Sequence, residues 1–208
     1  MSPSIKKDYL FVTIIGFLVG WLVLLPAKNI GFSITPGWIA LSVVGFTALA
    51  PIALFVLKLL GRVWNIFEEF GKFAAVGTLN TLIDLGVLNL EMLVFNVAAG
   101  WYFVLFKAVS FVFATTNSYF WNKFWTFESG SRVTAGEYGR FFAFTIVGTL
   151  IDVGVASLIV NGIHAPGGVS PKLWANIGAV IAVFVSMLWN FASYKLFVFK
   201  KHPGENVQ

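Results

Sequence analysis

Six long apolar stretches, separated by short polar segments, set the pattern of the chain. They run from Tyr9 to Leu25, Trp38 to Leu57, Phe73 to Val94, Trp101 to Trp121, Phe141 to Val160 and Leu173 to Tyr194. A hydrocarbon core about 30 Å thick takes about 20 apolar residues in helical form, and each stretch meets or approaches that length. Period-two alternation is missing, and only helices or closed barrels satisfy their backbone groups in lipid. The pattern predicts an all-α integral membrane protein with six transmembrane helices. The connections hold turn formers, as in Asn161-Gly162 and Pro166-Gly167-Gly168. Between the second and third stretches, Val63, Trp64, Phe67 and Phe70 fall on one face of a short helix, with Arg62, Glu68 and Glu69 off it. That segment reads as interfacial. Lys6 and Lys7 precede the first stretch as in a signal peptide, but no small-x-small pattern follows Leu25, so a retained helix is expected.

Composition narrows the class. Of 208 residues, 58% are hydrophobic and 11% charged, against about 25% charged in a soluble domain. Too little polar surface remains for a soluble enzyme, a disordered chain or a nucleic-acid-binding domain. The basic residues lie at the ends of the apolar runs. One side collects 11, among them Lys6, Lys7, Lys58, Arg62, Lys123, Arg132 and Lys200; the other holds Lys28, Lys107 and Lys172. The positive-inside rule puts both termini in the cytoplasm, as an even helix number requires. Trp38, Trp101, Tyr102, Trp125, Tyr138 and Trp174 mark the boundaries. Gly16 and Gly20 form a small-xxx-small packing face.

The fifth stretch repeats the third at an offset of 68 residues. Thr81-Leu82-Ile83-Asp84-Leu85-Gly86-Val87 lies over Thr149-Leu150-Ile151-Asp152-Val153-Gly154-Val155. The fourth and sixth match more loosely, with Lys123-Phe124-Trp125-Thr126-Phe127 over Lys195-Leu196-Phe197-Val198-Phe199. The last four helices are therefore expected as two parallel copies of a two-helix hairpin, and such repeats place transport sites between halves. Asp84 and Asp152 each lie 11 residues into their stretch, roughly 16 Å deep. An ionised Asp there costs about 2.5 to 3.5 kcal/mol on insertion scales, so neither should face lipid.

Asn80, Asp84 and Glu91 share one side of the third helix, with Thr149 and Asp152 the shorter counterpart on the fifth. These polar residues either line a path or hold helices together. Asn117, Asn122 and Asn190 on the fourth and sixth helices carry the same two readings. Glu91 and Lys107 lie near the outer boundary, where an ion pair is the plainer reading and an outer gate the sharper one. Lys72, Lys123, Arg140 and Lys195 occupy repeat-related positions at the cytoplasmic ends. They are able to collect a lipid phosphate; the plainer reading is topology, each cation being worth about 1 kcal/mol at an anionic surface. Enzyme chemistry is thin. There are no cysteines, no Gly-rich phosphate loop, and no His near Ser110 or Ser186. His164 and His202 have no metal-ligand partner nearby. No enzyme activity, metal or cofactor is expected.

Phe73-x-x-Val76-Gly77-x-x-Asn80-Thr81-x-x-Asp84, followed by Asn122-Lys123-x-Trp125-Thr126-Phe127, resembles the GtrA-like family of small membrane proteins. Asp152, Asn190 and Lys195-x-Phe197-Val198-Phe199 look like that family's degenerate second hairpin, with Gly148 where the first half has Asn80. The expected organisation is an N-terminal transmembrane hairpin with the interfacial segment over residues 1–69, a GtrA-like four-helix domain over 70–200, and a cytoplasmic tail over 201–208. The resemblance implies flipping of a polyprenyl-phosphate-linked monosaccharide across the cell membrane for cell-surface polysaccharide biosynthesis. Lys72, Lys123, Arg140 and Lys195 would capture the phosphate. Asn80, Thr81, Asp84, Asn117, Asn122, Thr149, Asp152 and Asn190 would line the sugar path, and Glu91 and Lys107 would form the outer gate. The implied partners are the sugar lipid, a membrane glycosyltransferase and a second copy of the chain. Two rivals are a non-transporting anchor for a polyprenol-phosphate glycosyltransferase and a proton-coupled small-molecule exporter. The topology is checked by cysteine labelling of this Cys-free chain: Glu205→Cys in intact cells should resist a membrane-impermeant thiol reagent, and labelling from outside would reverse the orientation.

Overall fold

The computed structural model describes residues 3–29, 32–61, 66–97, 100–163, 165–167 and 171–200. Seven α-helices occur among these residues. They are α1 (Pro3–Leu22), α2 (Leu24–Asn29), α3 (Pro36–Gly61), α4 (Ile66–Phe95), α5 (Gly100–Trp121), α6 (Ala135–Ser157) and α7 (Pro171–Ser193). No strand occurs among them. Among the described residues, five helical segments are long and apolar enough to cross a membrane: Pro36–Gly61, Ile66–Phe95, Gly100–Thr126, Ala135–Gly162 and Ile177–Val198. The first predicted stretch is helical too, but Lys6, Lys7 and Asp8 lie in its opening turns and shorten its apolar run. Phe67 and Phe70, expected on a separate interfacial helix, belong to the first turns of α4. Val63, Trp64, His164 and His202 lie outside the described residues.

Local chemistry accounts for several helix ends. Thr35 caps α3, its hydroxyl accepting from the Trp38 amide at 3.3 Å, with Pro36 at the first helical position. Thr134 caps α6 by accepting from the Glu137 amide at 3.1 Å, the Ser/Thr-x-x-Glu spacing of a capping box. Asn96 stops α4 by adopting φ 53°, a left-handed conformation that Asn tolerates just past a helix.

The chain forms two compact units, residues 1–128 and 129–208. In the first, α1 packs on α3 and both pack on α4. Its buried core joins Val12, Ile15 and Val19 of α1 with Leu54 of α3, Val76 and Leu79 of α4, and Trp125. The small-xxx-small pair lets α1 and α3 touch backbone to backbone. A Cβ on Gly16 would lie 2.4 Å from the Phe46 carbonyl oxygen, and one on Gly20 would lie 2.7 Å from the Val43 Cα. Ser42 Oγ donates to the Gly20 carbonyl at 2.7 Å. In the second unit, α6 and α7 form a hairpin. Phe141 packs against Tyr194 with ring centroids 4.2 Å apart, and the Tyr194 hydroxyl meets Thr145 Oγ1 at 2.6 Å. Trp174 ties the hairpin at its other end, its indole N–H reaching the carbonyls of Ile159 and Ile163.

The sequence repeat persists in an unusual backbone detail. Both α5 and α7 end in one π-helical turn, Asn122–Thr126 and Tyr194–Val198, 72 residues apart. The Phe127 amide donates to the Asn122 carbonyl at 2.9 Å, and the Phe199 amide to the Tyr194 carbonyl at 2.8 Å. A π turn places one extra residue in the helix and so redirects the side chains that follow. The test of the α1–α3 seam is thermal unfolding in detergent. Gly20→Val should lose about 1–3 kcal/mol by overpacking against backbone. Gly45→Ala, whose added Cβ meets nothing within 4 Å, should melt like the parent.

Candidate functional site

Two polar layers cross the first unit. The inner layer lies between α4 and α5. Asn117 Nδ2 donates to Asn80 Oδ1 at 2.6 Å. Asp84 forms an ion pair with Lys107 and accepts from Ser110 Oγ at 2.6 Å. The expected partner of Lys107 was Glu91, and the structure gives it Asp84 instead. The reason is the α5 face: Ser110 lies three residues beyond Lys107, so both donors address one carboxylate. The flexible lysine stem reaches inward to it. Ser110 is fully buried. Glu91 Oε2 and Asn80 Nδ2 are buried without a hydrogen-bond partner among the described residues.

Thr81 and Thr149 are exposed, and each hydroxyl donates back to the carbonyl four residues earlier, Gly77 and Thr145. Both are therefore satisfied within their own helices. Asn122 is buried and donates from Nδ2 to the carbonyl and hydroxyl of Ser118, leaving Oδ1 unpartnered.

The second layer lies at the end of the unit where α1 begins. Asp8, which the sequence reading passed over, is 1% exposed and collects three donors. Lys58 Nζ meets Oδ2 at 2.7 Å, Lys72 Nζ meets Oδ1 at 2.9 Å, and Trp125 Nε1 donates to Oδ1 at 2.9 Å. Glu68 approaches Lys58 at 3.1 Å and Lys72 at 3.7 Å, and Glu128 approaches Lys72 at 3.4 Å. Trp125, expected as a boundary aromatic, is buried here because its indole N–H finds a carboxylate. Asp8 lies ahead of the first apolar run, outside the five spanning segments. Burial alone would raise its carboxyl, but the hydrogen bonds from Lys58, Lys72 and Trp125 outweigh it and hold the group below the ordinary aspartate value of 3.8. An acidic residue directly after Lys6-Lys7, at the edge of an apolar run, was the signal in the sequence.

The four cations expected to capture phosphate have different surroundings. Lys72 is buried among carboxylates. Lys123 is fully buried in the first π turn, its Nζ 5.9 Å from the Phe124 ring centroid. Lys195 is half-buried in the matching turn of the second unit, 5.8 Å from the Phe191 ring centroid. Arg140 is exposed and borders a cavity of about 350 Å3.

In the second unit, Asp152 Oδ1 is buried and without a hydrogen-bond partner among the described residues. At the repeat offset of α7, Ala179 and Ala182 stand where α5 has Lys107 and Ser110. Gly148 replaces Asn80, and Asn190 fills the space. A Cβ on Gly148 would lie 2.3 Å from Asn190 Oδ1. That oxygen also lacks a partner. No group of three or more His, Asp or Glu side chains suited to a metal ion occurs among the described residues.

The model of the family described as GtrA/DPMS, transmembrane domain, matches residues 72–199, more than half of the chain. A curated relative, the Uncharacterized membrane protein YngA of Bacillus subtilis (strain 168), is 30% identical over 125 residues, covering 60% of this chain and 80% of that protein. No solved structure matches the chain.

The Asp8 layer generates a stability prediction. Asp8→Asn removes the charge shared by the buried Lys72 and the half-buried Lys58, and breaking a buried pair is worth about 3–5 kcal/mol. The folded carboxyl is depressed, so its contribution is complete above pH 3.8 and is lost as pH falls through the folded value. Unfolding in detergent should therefore show Asp8→Asn destabilised at pH 7, with a shallower acid limb than the parent.

Proposed function

Because the chain belongs to the GtrA/DPMS transmembrane-domain family, we propose that it carries a polyprenyl-phosphate-linked monosaccharide across the cell membrane for cell-surface polysaccharide glycosylation. On this reading residues 70–200 are the transport domain, residues 1–69 are an added hairpin, and both termini are cytoplasmic. The carrying observation is the polar seam between α4 and α5, two membrane-spanning helices. Asn80, Asp84, Lys107, Ser110 and Asn117 offer amide, carboxylate, ammonium and hydroxyl groups along one interface. Unpartnered buried atoms on Asn80 and Glu91 leave bonding capacity unused. In hydrocarbon each unsatisfied polar group costs several kcal/mol, and sugar hydroxyls are ligands of the right kind to use that capacity. Asn122, Asp152 and Asn190 have unused oxygens of the same kind. The polyprenyl tail stays in lipid while the phosphate and sugar move along protein groups.

The Asp84–Lys107 pair dictates how this is tested. Asp84→Asn alone leaves Lys107 without its anion inside the membrane and mixes instability with mechanism. The double variant Asp84→Asn/Lys107→Gln keeps the side-chain shapes and removes both charges. In proteoliposomes loaded with a labelled polyprenyl-phosphate monosaccharide, the parent chain should flip the lipid. The double variant should insert and melt like the parent while losing at least tenfold in flipping rate. A parent chain that leaves flipping at the protein-free rate would favour the anchor reading. Normal flipping by a well-folded double variant would make the pair purely structural.

A further inference from the structure

We infer that the end of the second unit where α6 begins is a phosphate receptor built from Arg132, Arg140 and Lys200, three residues acting on one cavity. The cavity, about 350 Å3, is also lined by Ser131, Thr134 and Glu137, and by Phe197 and Val198 of the π turn that ends α7. That volume is in the range of small-molecule sites. Its cations are exposed, and none has an ion-pair or hydrogen-bond partner among the described residues. The single acid, Glu137, is buried and accepts from Ser131 Oγ at 2.7 Å. The lining therefore holds three positive side chains against one negative one. Two arginine forks and an ammonium match the oxygens of a phosphate.

The repeat supplies a second, independent observation. Lys72, the counterpart of Arg140, is taken up by Asp8, Glu68 and Glu128. At the repeat offsets, Gly136 stands for Glu68, Lys200 stands for Glu128, and Arg132 stands for Trp64. Each exchange removes an acid or adds a base. The first copy's lysine is thus neutralised by its own acids together with Asp8 of α1, whereas the second copy lacks counterparts of Glu68, Glu128 and Asp8 and gains Arg132 and Lys200. Scattered surface charge would not concentrate these changes around one cavity. Phe197 and Val198 give the cavity an apolar wall, which suits a phosphate carried on a lipid over free phosphate.

The inference rests on the transport reading for its substrate and is separable from it by experiment. The full chain is placed in phosphatidylcholine nanodiscs and titrated with fluorescent polyprenyl phosphate. Arg132→Gln/Arg140→Gln/Lys200→Gln should lower affinity at least tenfold. The charge-matched control Lys6→Gln/Lys7→Gln/Lys28→Gln should leave it unchanged. Unphosphorylated polyprenol should bind equally weakly to both variants and the parent. Displacement by inorganic phosphate at concentrations like those of the lipid would make the ligand a soluble phosphate; its failure to displace at such concentrations would make it a lipid headgroup. Parent-like binding by the cavity variant, or an equal loss in the control, would overturn the receptor. If the cavity variant loses binding while parent proteoliposomes do not flip, the receptor stands and the transport reading falls. If the parent flips and the cavity variant binds and flips normally, the reverse holds.

Discussion

A carboxylate carried into hydrocarbon must find its donors within the protein, and Asp84 finds them in Lys107 and Ser110. That requirement sets the pairing of α4 with α5. It orients the α5 face bearing Lys107 and Ser110 toward α4, and the Asn80–Asn117 bond extends the same seam. The second hairpin inherited the carboxylate as Asp152 without the donors, since Ala179 and Ala182 occupy their places. The duplicated helices, the π turns and the buried aromatic contacts survived duplication. The polar chemistry between the helices did not. The backbone frame and the polar seam have thus been under separate constraints.

The hairpin ahead of the repeated region changes the electrostatics of the first unit. Asp8 brings a buried anion to Lys58 and Lys72, and Trp125 completes its hydrogen bonding. Two lysines with three nearby carboxylates have no positive charge to spare. Burial makes the Asp8–Lys72 contact durable, because separating these two leaves a desolvated charge alone. The close backbone contact of α1 with α3 at Gly16 and Gly20 holds Asp8 in place, so helix packing and charge neutralisation reinforce one another. The second unit has no such helix, and Arg132, Arg140 and Lys200 at the corresponding end remain exposed.

The features readable from the sequence were those with short periods or repeated words. Apolar run length located the spanning helices, and the Thr-Leu-Ile-Asp repeat located both membrane carboxylates. The small-xxx-small pair was readable because steric closeness depends only on residue size. Pairings between distant charges were not readable. Asp8 meets Lys58 across 50 positions and Trp125 across 117, and no periodicity encodes that. Lys107 had two acids on one α4 face within reach, and the choice turned on Ser110, which looked inert when judged only as a nucleophile. Helix boundaries shifted where caps overrode hydropathy: α6 starts at its capping box near Thr134, well before the apolar run at Phe141. The cavity beside Arg140 depends on Arg132, ahead of α6, and Lys200, beyond α7, meeting at one end of the hairpin from positions 68 residues apart. Residue spacing alone does not measure that.

Gly148 shows how the divergence proceeds residue by residue. In the first unit two amides, Asn80 and Asn117, face each other and use part of their bonding capacity on one another. In the second unit the loss of one side chain admits Asn190 against the glycine, and its carbonyl oxygen is left without a partner. One amide replaces two and its acceptor is unspent. The same trend runs from the paired Asp84 to the unpaired Asp152, and from the neutralised Lys72 to the exposed Arg140. Each step moves the second hairpin from internal satisfaction toward unused capacity for hydrogen bonds and charge. The halves differ most in their charges: the first unit pairs Asp84 with Lys107 and Lys72 with Asp8, whereas in the second Asp152 Oδ1 is without a partner among the described residues and Arg140 is exposed.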